Sequence, residues 1–292
     1  MWRNHHRLHR SATAQVHAVV EHNPTAVPGG LLDVDVASLR REKLDFHAQL
    51  FEAAQVQRRL SGPRVLRRGD MQFATEVFAA QYLSGDFVTL SSDGSIVFSA
   101  LGDIAGKGLA AGMWFTNLVG LLQRFSNSAS DPAAVASEIN RHLCCLRPVA
   151  PFVTMFLAQV DCTRGELVYC SAGHFPPLLL RTDGSTELLE KGGPLLGALA
   201  DAKFELGRAT LQPGDTVMAY SDGVLECRNN MDEEFGMERL IAESRRAARH
   251  SASATLLMLL AAVQDFANGS PLCDDASLMV IQRDRNSVSP QQ

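Results

Sequence analysis

Apolar and polar residues follow two rhythms along this chain. Between residues 35 and 60, Leu39, Phe46, Ala53 and Leu60 recur every seventh position, and Leu50 and Val56 widen the stripe. This is the spacing of an amphipathic helix, and Ser61-Gly62-Pro63 stops it. Such a stripe serves a helix packed on its own domain or one that dimerises and carries a signal.

Downstream the rhythm shortens to the two-residue period of strands. Residues 65–82 are ambiguous, with 73–78 the strand the pattern favours. Residues 84–90 and 96–103 read as two strands joined at Asp93-Gly94, a strong hairpin signal. Residues 109–122 are apolar on most sides, as a helix buried against a sheet would be. Asp131-Pro132 supplies an N-cap with proline at the first helical position, and that helix runs to about residue 145. Strands at 152–160 and 166–171 flank one turn, and strands at 177–181 and 186–189 flank Asp183-Gly184. A strand at 216–220 ends in Ser221-Asp222-Gly223. Helices at 237–249 and 252–268 follow, and a last strand covers 276–282. Successive hairpins mean antiparallel sheet. Helices segregated from strands, rather than alternating with them, indicate an α+β fold with two sheets and helices outside.

Composition narrows the class. With 292 residues, 46% of them hydrophobic, the chain can bury a sizeable core. A formal charge of -5 argues against a nucleic-acid surface. The basic, histidine-rich start (Arg3, His5, His6, Arg7, His9, Arg10) lacks the apolar run of a secretory signal. No stretch approaches the roughly 20 apolar residues of a membrane span. Residues 1–33 read as a flexible tail, 34–62 as a linker or dimerisation helix, 65–285 as the main domain and 286–292 as a polar tail. The six cysteines form no C-x-x-C pair and no zinc spacing. They are expected to be reduced, mostly buried thiols of a cytoplasmic protein.

The chemistry gathers at strand ends. If Asp93-Gly94 is a two-residue turn, Asp86 faces Leu101, with Asp103 its diagonal neighbour about 7–8 Å away. Asp222 ends a later strand, and Asp274-Asp275 opens the last. If those two strands pair antiparallel, the four acidic points converge. Like charges so placed call for a hard cation, and oxygen-only donors favour magnesium or manganese over zinc. Two such ions are a known device for in-line phosphoryl displacement by an activated water. Gly106 and Gly108 give the loop after Asp103 its sharp turn. His174 is expected to be a turn histidine rather than a catalytic one.

These stretches, taken in order, carry a resemblance. Gly85-Asp86-Phe87, Gly102-Asp103-Ile104-Ala105-Gly106-Lys107-Gly108, Ser171-Ala172-Gly173-His174, Tyr220-Ser221-Asp222-Gly223 and Asp274-Asp275-Ala276-Ser277 together resemble the SpoIIE/RsbU branch of the PPM (protein phosphatase 2C-like) serine/threonine phosphatases. The resemblance covers about residues 65–285. It implies a four-layer α/β/β/α sandwich with two antiparallel sheets and a site for two Mn2+ or Mg2+ ions. It implies Asp86, Asp103 and Asp222 as the catalytic carboxylates, and Asp86, Asp103, the Ile104 carbonyl, Asp222 and Asp274 as metal ligands. Asp275, Gly85, Gly106 and Gly223 would support them from behind. The substrate would be a phosphorylated signalling protein of the anti-anti-sigma (STAS) type, with input through dimerisation of the helix at 35–60 or through a partner. Departures from the family pattern are mild: Ser84 stands for a glycine, Val88 for an aromatic and Ser277 for a threonine. No phosphate-binding arginine is evident upstream.

Two rival readings fit the sequence less well. A P-loop fails on spacing, because three residues separate Gly102 from Gly106 and Gly108 stands where Ser or Thr is required. A catalytically silent phosphatase fold that signals by binding would show a substituted metal ligand, and none is seen.

Overall fold

Strand pairing builds two sheets whose apolar faces meet. The structure, a computed structural model, describes residues 36–126, 131–270 and 272–285. The expected tails at 1–33 and 286–292 lie outside the described residues. In chain order the elements are α1 (Val36–Leu60), β1 (Val65–Arg68), β2 (Met71–Phe78), β3 (Phe87–Asp93), β4 (Ile96–Ile104), α2 (Leu109–Ser126), α3 (Pro132–Cys145), β5 (Val153–Asp161), β6 (Glu166–Ala172), β7 (Leu178–Leu180), β8 (Thr186–Leu188), β9 (Gly192–Gly193), β10 (Gly207–Thr210), β11 (Thr216–Tyr220), α4 (Asp222–Leu225), α5 (Gly236–Ala247), α6 (Ala252–Ala267) and β12 (Ala276–Arg283). The chain divides into two compact units at Asp45/Phe46. The first is described only through the opening turns of α1, and the second holds every other element.

One sheet runs β1-β2-β12-β11-β7-β8 and the other β10-β6-β5-β4-β3. All pairs are antiparallel except β6 with the two-residue β9, which is parallel and corrects the expectation of wholly antiparallel sheets. Side chains alternate between faces along each strand. In β5, Phe156, Ala158 and Val160 enter the layer between the sheets, while Val153, Met155 and Leu157 pack with α2 and α3. In β11, Val217 and Ala219 face inward, and Met218 and Tyr220 pack with α5 and α6. The result is the α/β/β/α order expected for an α+β sandwich.

Local chemistry sets the boundaries. Asp131 caps α3 by accepting from the Ala134 N–H at 2.8 Å, with Pro132 at the first position. Ser251 caps α6 through Ala254 N–H, and Asn268 ends it in the left-handed conformation. The ambiguous stretch at 65–82 resolves into a short hairpin of β1 and β2.

Two expectations need correction. The turn between β3 and β4 is Gly94-Ser95, with Asp93 paired to Ile96. Gly94, at φ +57, takes the first central position, as glycine does in a type II′ turn. The heptad of α1 is not its buried stripe: Leu39 and Phe46 are more than half exposed, whereas Ala54 and Gln57 are buried. Among the described residues no helix is long and apolar enough to cross a membrane. All six cysteines are free; Cys162, Cys170 and Cys227 are buried, but Cys145 and Cys273 are exposed, against the expectation of mostly buried thiols.

Candidate active site

The site lies where the apolar layer between the sheets runs out. Val97 and Leu101 of β4 share one face, and the next residue on it is Asp103. Val88 and Leu90 of β3 share the same layer, and one step back on that face is Asp86. Val217 and Ala219 lead to Ser221, and Ile281 and Met279 lead back to Ser277. Four strand ends thus replace aliphatic side chains by oxygen at one edge of the sandwich.

The corrected register sharpens the pairing. Phe87 is opposite Gly102, so one further step places Asp86 opposite Asp103, rather than opposite Leu101. The ladder continues there, since Ile104 N–H donates to the Gly85 carbonyl at 3.3 Å. β11 and β12 are antiparallel neighbours, with Tyr220 opposite Leu278. That pairing carries Asp222 and Asp274-Asp275 to the same edge, as expected.

Burial and repulsion decide the electrostatics. Asp86 is 2% exposed, and its Oδ2 is buried without a hydrogen-bond partner among the described residues. Burial first, then the neighbouring Asp103, hold its carboxyl well above the usual range, against the pull of the Ser221 and Ser277 hydroxyls. Asp103 is pushed up to about 7, by burial first and then by Asp222, Asp274 and Asp275. Asp222 is raised by burial and by Asp274, while the Gly223 N–H (2.8 Å to its Oδ1) and Lys107 pull it down. Carboxylates raised in this way bind a cation in place of a proton.

Glycines permit the close approaches. A Cβ on Gly85 would stand 3.0 Å from the Ile104 carbonyl oxygen, 3.2 Å from that of Gly106 and 3.3 Å from Asp103 Oδ1. Three oxygens therefore form a cradle that any side chain would fill. A Cβ on Gly223 would meet the Asp275 carbonyl oxygen at 1.9 Å, so only glycine lets α4 start against the entry to β12. Gly106 and Gly108 flank Lys107 at φ +119 and +72, the left-handed region that favours glycine.

The two adjacent aspartates do different work. Asp275 is buried and accepts from Ala80 N–H (2.7 Å), Ser84 Oγ (2.8 Å) and Gly85 N–H (2.7 Å). Asp274 is half exposed; its Oδ1 accepts Asp275 N–H at 2.9 Å, and its Oδ2 pairs with Lys107 Nζ at 2.9 Å. Among the described residues, no three His, Cys, Asp or Glu side chains are close enough together to hold an ion as they stand. The donor chemistry fits a hard divalent cation all the same: the orphaned Asp86 oxygen and the carbonyl cradle at Gly85 are both oxygen-only.

Three features escaped the sequence reading. Gln57 of α1 grips Ser84 from both sides, donating to its carbonyl at 3.2 Å and accepting its N–H at 3.3 Å. Its signal is a single polar residue on the inner helix face, which hydrophobic patterning discards. Thr154 lies opposite Asp103 on β5 and shares a 3.0 Å hydrogen bond with His174 Nδ1. His174 is buried, and burial lowers it to about 4, so it is a neutral structural group. The Lys107–Asp274 pair joins residues no local pattern connects.

The family model for stage II sporulation protein E (SpoIIE) matches residues 92–284. The chain belongs to the SpoIIE family of PPM phosphatases. Its enzyme class is protein-serine/threonine phosphatase. The phosphoserine phosphatase RsbU of Bacillus subtilis is 27% identical over 249 residues, covering 84% of this chain and 73% of that protein. The SiaA PP2C domain of Pseudomonas aeruginosa superposes with a TM-score of 0.72 at 18% identity, over 83% of this chain and 99% of that one. The RsbU and RsbW domains of Rv1364c from Mycobacterium tuberculosis give 0.66 at 24% identity over 78% of this chain, which spans 63% of that one. These two structural likenesses speak to the fold.

Proposed function

We propose that this SpoIIE-type phosphatase hydrolyses a phosphoserine or phosphothreonine on a STAS-type signalling protein, by direct attack of water and without a phosphoenzyme. The observation that carries the reading is the facing pair Asp86 and Asp103, one with a buried oxygen lacking a partner, beside a cradle of carbonyl oxygens. Asp86, Asp103, the Ile104 carbonyl, Asp222 and Asp274 would hold the metal. Two Mn2+ or Mg2+ ions held there would supply an activated water and a clamp for the phosphoryl oxygens. The chain's own contribution is position. Asp275 fixes the Ser84–Gly85 backbone, Gln57 braces it from α1, and Ser221 and Ser277 face Asp86 from the second sheet. The STAS substrate is supported by likeness to RsbU and by the half-exposed site edge, where Asp274 and Lys107 meet solvent. A dimer through α1 is supported by the exposed Leu39, Phe46 and Val56.

The test is phosphate release. Purified chain with Mn2+ should dephosphorylate p-nitrophenyl phosphate and a phosphoserine STAS protein, with no covalent phosphoryl-enzyme trapped by acid quench. Inertness toward both substrates, or a trapped phosphoenzyme, would refute the proposal.

A further inference from the structure

Lys107 lies in the glycine loop that follows Asp103, and it reaches across to the start of β12. Its Nζ stands 2.9 Å from Asp274 Oδ2 and donates to the Cys273 carbonyl at 3.2 Å. The residues joined are 166 positions apart for the carbonyl contact, so this is a tertiary clasp rather than a local turn. The flanking glycines hold the loop in a conformation that points the lysine at the acidic edge.

We infer that Lys107 is a built-in counter-ion for Asp274, competing with the divalent cation for that carboxylate. The inference rests on the metal-site reading above. Among the expected metal ligands, Asp274 has both oxygens engaged: Oδ1 by the Asp275 N–H and Oδ2 by the ammonium. An incoming ion therefore meets a carboxylate whose outer oxygen is taken by a positive charge. Asp86 is the opposite case, with an oxygen left free of partners. The ammonium also lies near Asp222 and Asp275, so one cation offsets part of the repulsion across the whole edge. Ion binding at Asp274 requires Lys107 to withdraw, and its half-exposed side chain can swing into water to do so.

Two features set this apart from an ordinary surface ion pair. An ordinary pair joins two solvated groups and is nearly neutral in energy. Here Asp274 lies near two further carboxylates, Asp103 and Asp222, so removing the lysine leaves the acidic edge uncompensated and more attractive to a divalent ion. The clasp also orders occupancy. The Asp86–Asp103 pair takes an ion without meeting a competing ammonium, and the Asp274 position fills after it.

The experiment titrates the full chain with Mn2+ and follows free ion by its paramagnetic resonance signal, together with calorimetry, with no substrate present. Lys107→Met keeps the length and apolar stem of the side chain and removes its charge. Its weaker Mn2+ site is expected to bind roughly two- to fivefold more tightly than in the wild type, the scale of one exposed ion pair. Lys107→Arg should retain wild-type affinity. Lys107→Met placed on Asp274→Asn should give no further gain, because the contested oxygen is gone. Unchanged or weaker Mn2+ binding in Lys107→Met, with an unaltered circular dichroism spectrum, would overturn the competition while leaving the metal site standing. A wild-type chain that binds no Mn2+ would overturn both.

Discussion

Asp275 accepts the Gly85 backbone N–H at 2.7 Å across 190 residues of sequence. That bond ties the entry of β12 to the segment that presents Asp86. The same carboxylate holds Ala80 N–H and Ser84 Oγ. Asp275→Ala would leave three donors, two of them buried, without their acceptor. We expect a loss of about 3 kcal/mol in stability, read as a lower thermal midpoint, and at least a tenfold loss of turnover under conditions where the variant is folded. A variant with wild-type midpoint and turnover would show that this brace is dispensable.

Gly223 makes a separate case, because the obstruction is backbone. A methyl group there meets the Asp275 carbonyl oxygen at 1.9 Å, with Ala276 Cα at 3.3 Å behind it. Neither can rotate away, so α4 or β12 must shift. Gly223→Ala is expected to cost about 3 kcal/mol and to displace Asp222, abolishing turnover. Chemical unfolding compares the two proteins, and an unchanged midpoint would mean that the approach is looser than described.

His174 supplies a pH dependence of known sign. Burial lowers it from 6.5 to about 4, so on acidification the unfolded chain takes up the proton first. Its contribution to stability is complete above about pH 6.5 and is lost as the pH falls toward 4. The full loss is on the order of 3 kcal/mol. The thermal midpoint of the wild type should drop between pH 7 and pH 4.5 by more than that of His174→Gln, whose ring is absent. Parallel profiles would contradict the buried, neutral histidine.

Much of this arrangement was legible in the sequence, and the rest was hidden for identifiable reasons. β11 follows the 216–220 pattern residue for residue, because every position in it is buried and Ser221-Asp222-Gly223 marks its end. The α3 cap was equally plain, since Asp131-Pro132 satisfies the first turn by local chemistry alone. The hairpin turn was displaced by one residue: moving the turn by one shifts the register by two and leaves the same residues facing the core, so the apolar pattern fits either turn, and Gly94, at φ +57, takes the first central position rather than the second. β9 and β10 carry few apolar residues: β9 is Gly192-Gly193, with no side chain to signal it, and a Cβ on Gly192 would lie 1.9 Å from the Ser171 carbonyl oxygen. At the site, the separate aspartates could be picked out, but not that one of an adjacent pair braces backbone while the other faces a lysine. That division depends on contacts between residues far apart in the chain.

The exposed apolar positions of α1 give a prediction about assembly. If Leu39 and Phe46 seat a second copy of the chain, Leu39→Glu with Phe46→Glu should halve the mass measured by light scattering. Neither residue is buried, so the circular dichroism spectrum should not change. A wild-type mass already equal to one chain would remove the dimer from the account.

The most direct test of the central claim compares wild type with Asp103→Asn on a phosphoserine protein substrate. Asp103 faces Asp86 and lies near Asp222, Asp274 and Asp275, so the substitution removes charge where a cation is needed while keeping size. Wild type should release phosphate only with Mn2+ or Mg2+ and stop on chelation. Asp103→Asn should keep its fold and lose at least a hundredfold in turnover. Wild-type turnover in Asp103→Asn, or hydrolysis that persists after chelation, would contradict the account.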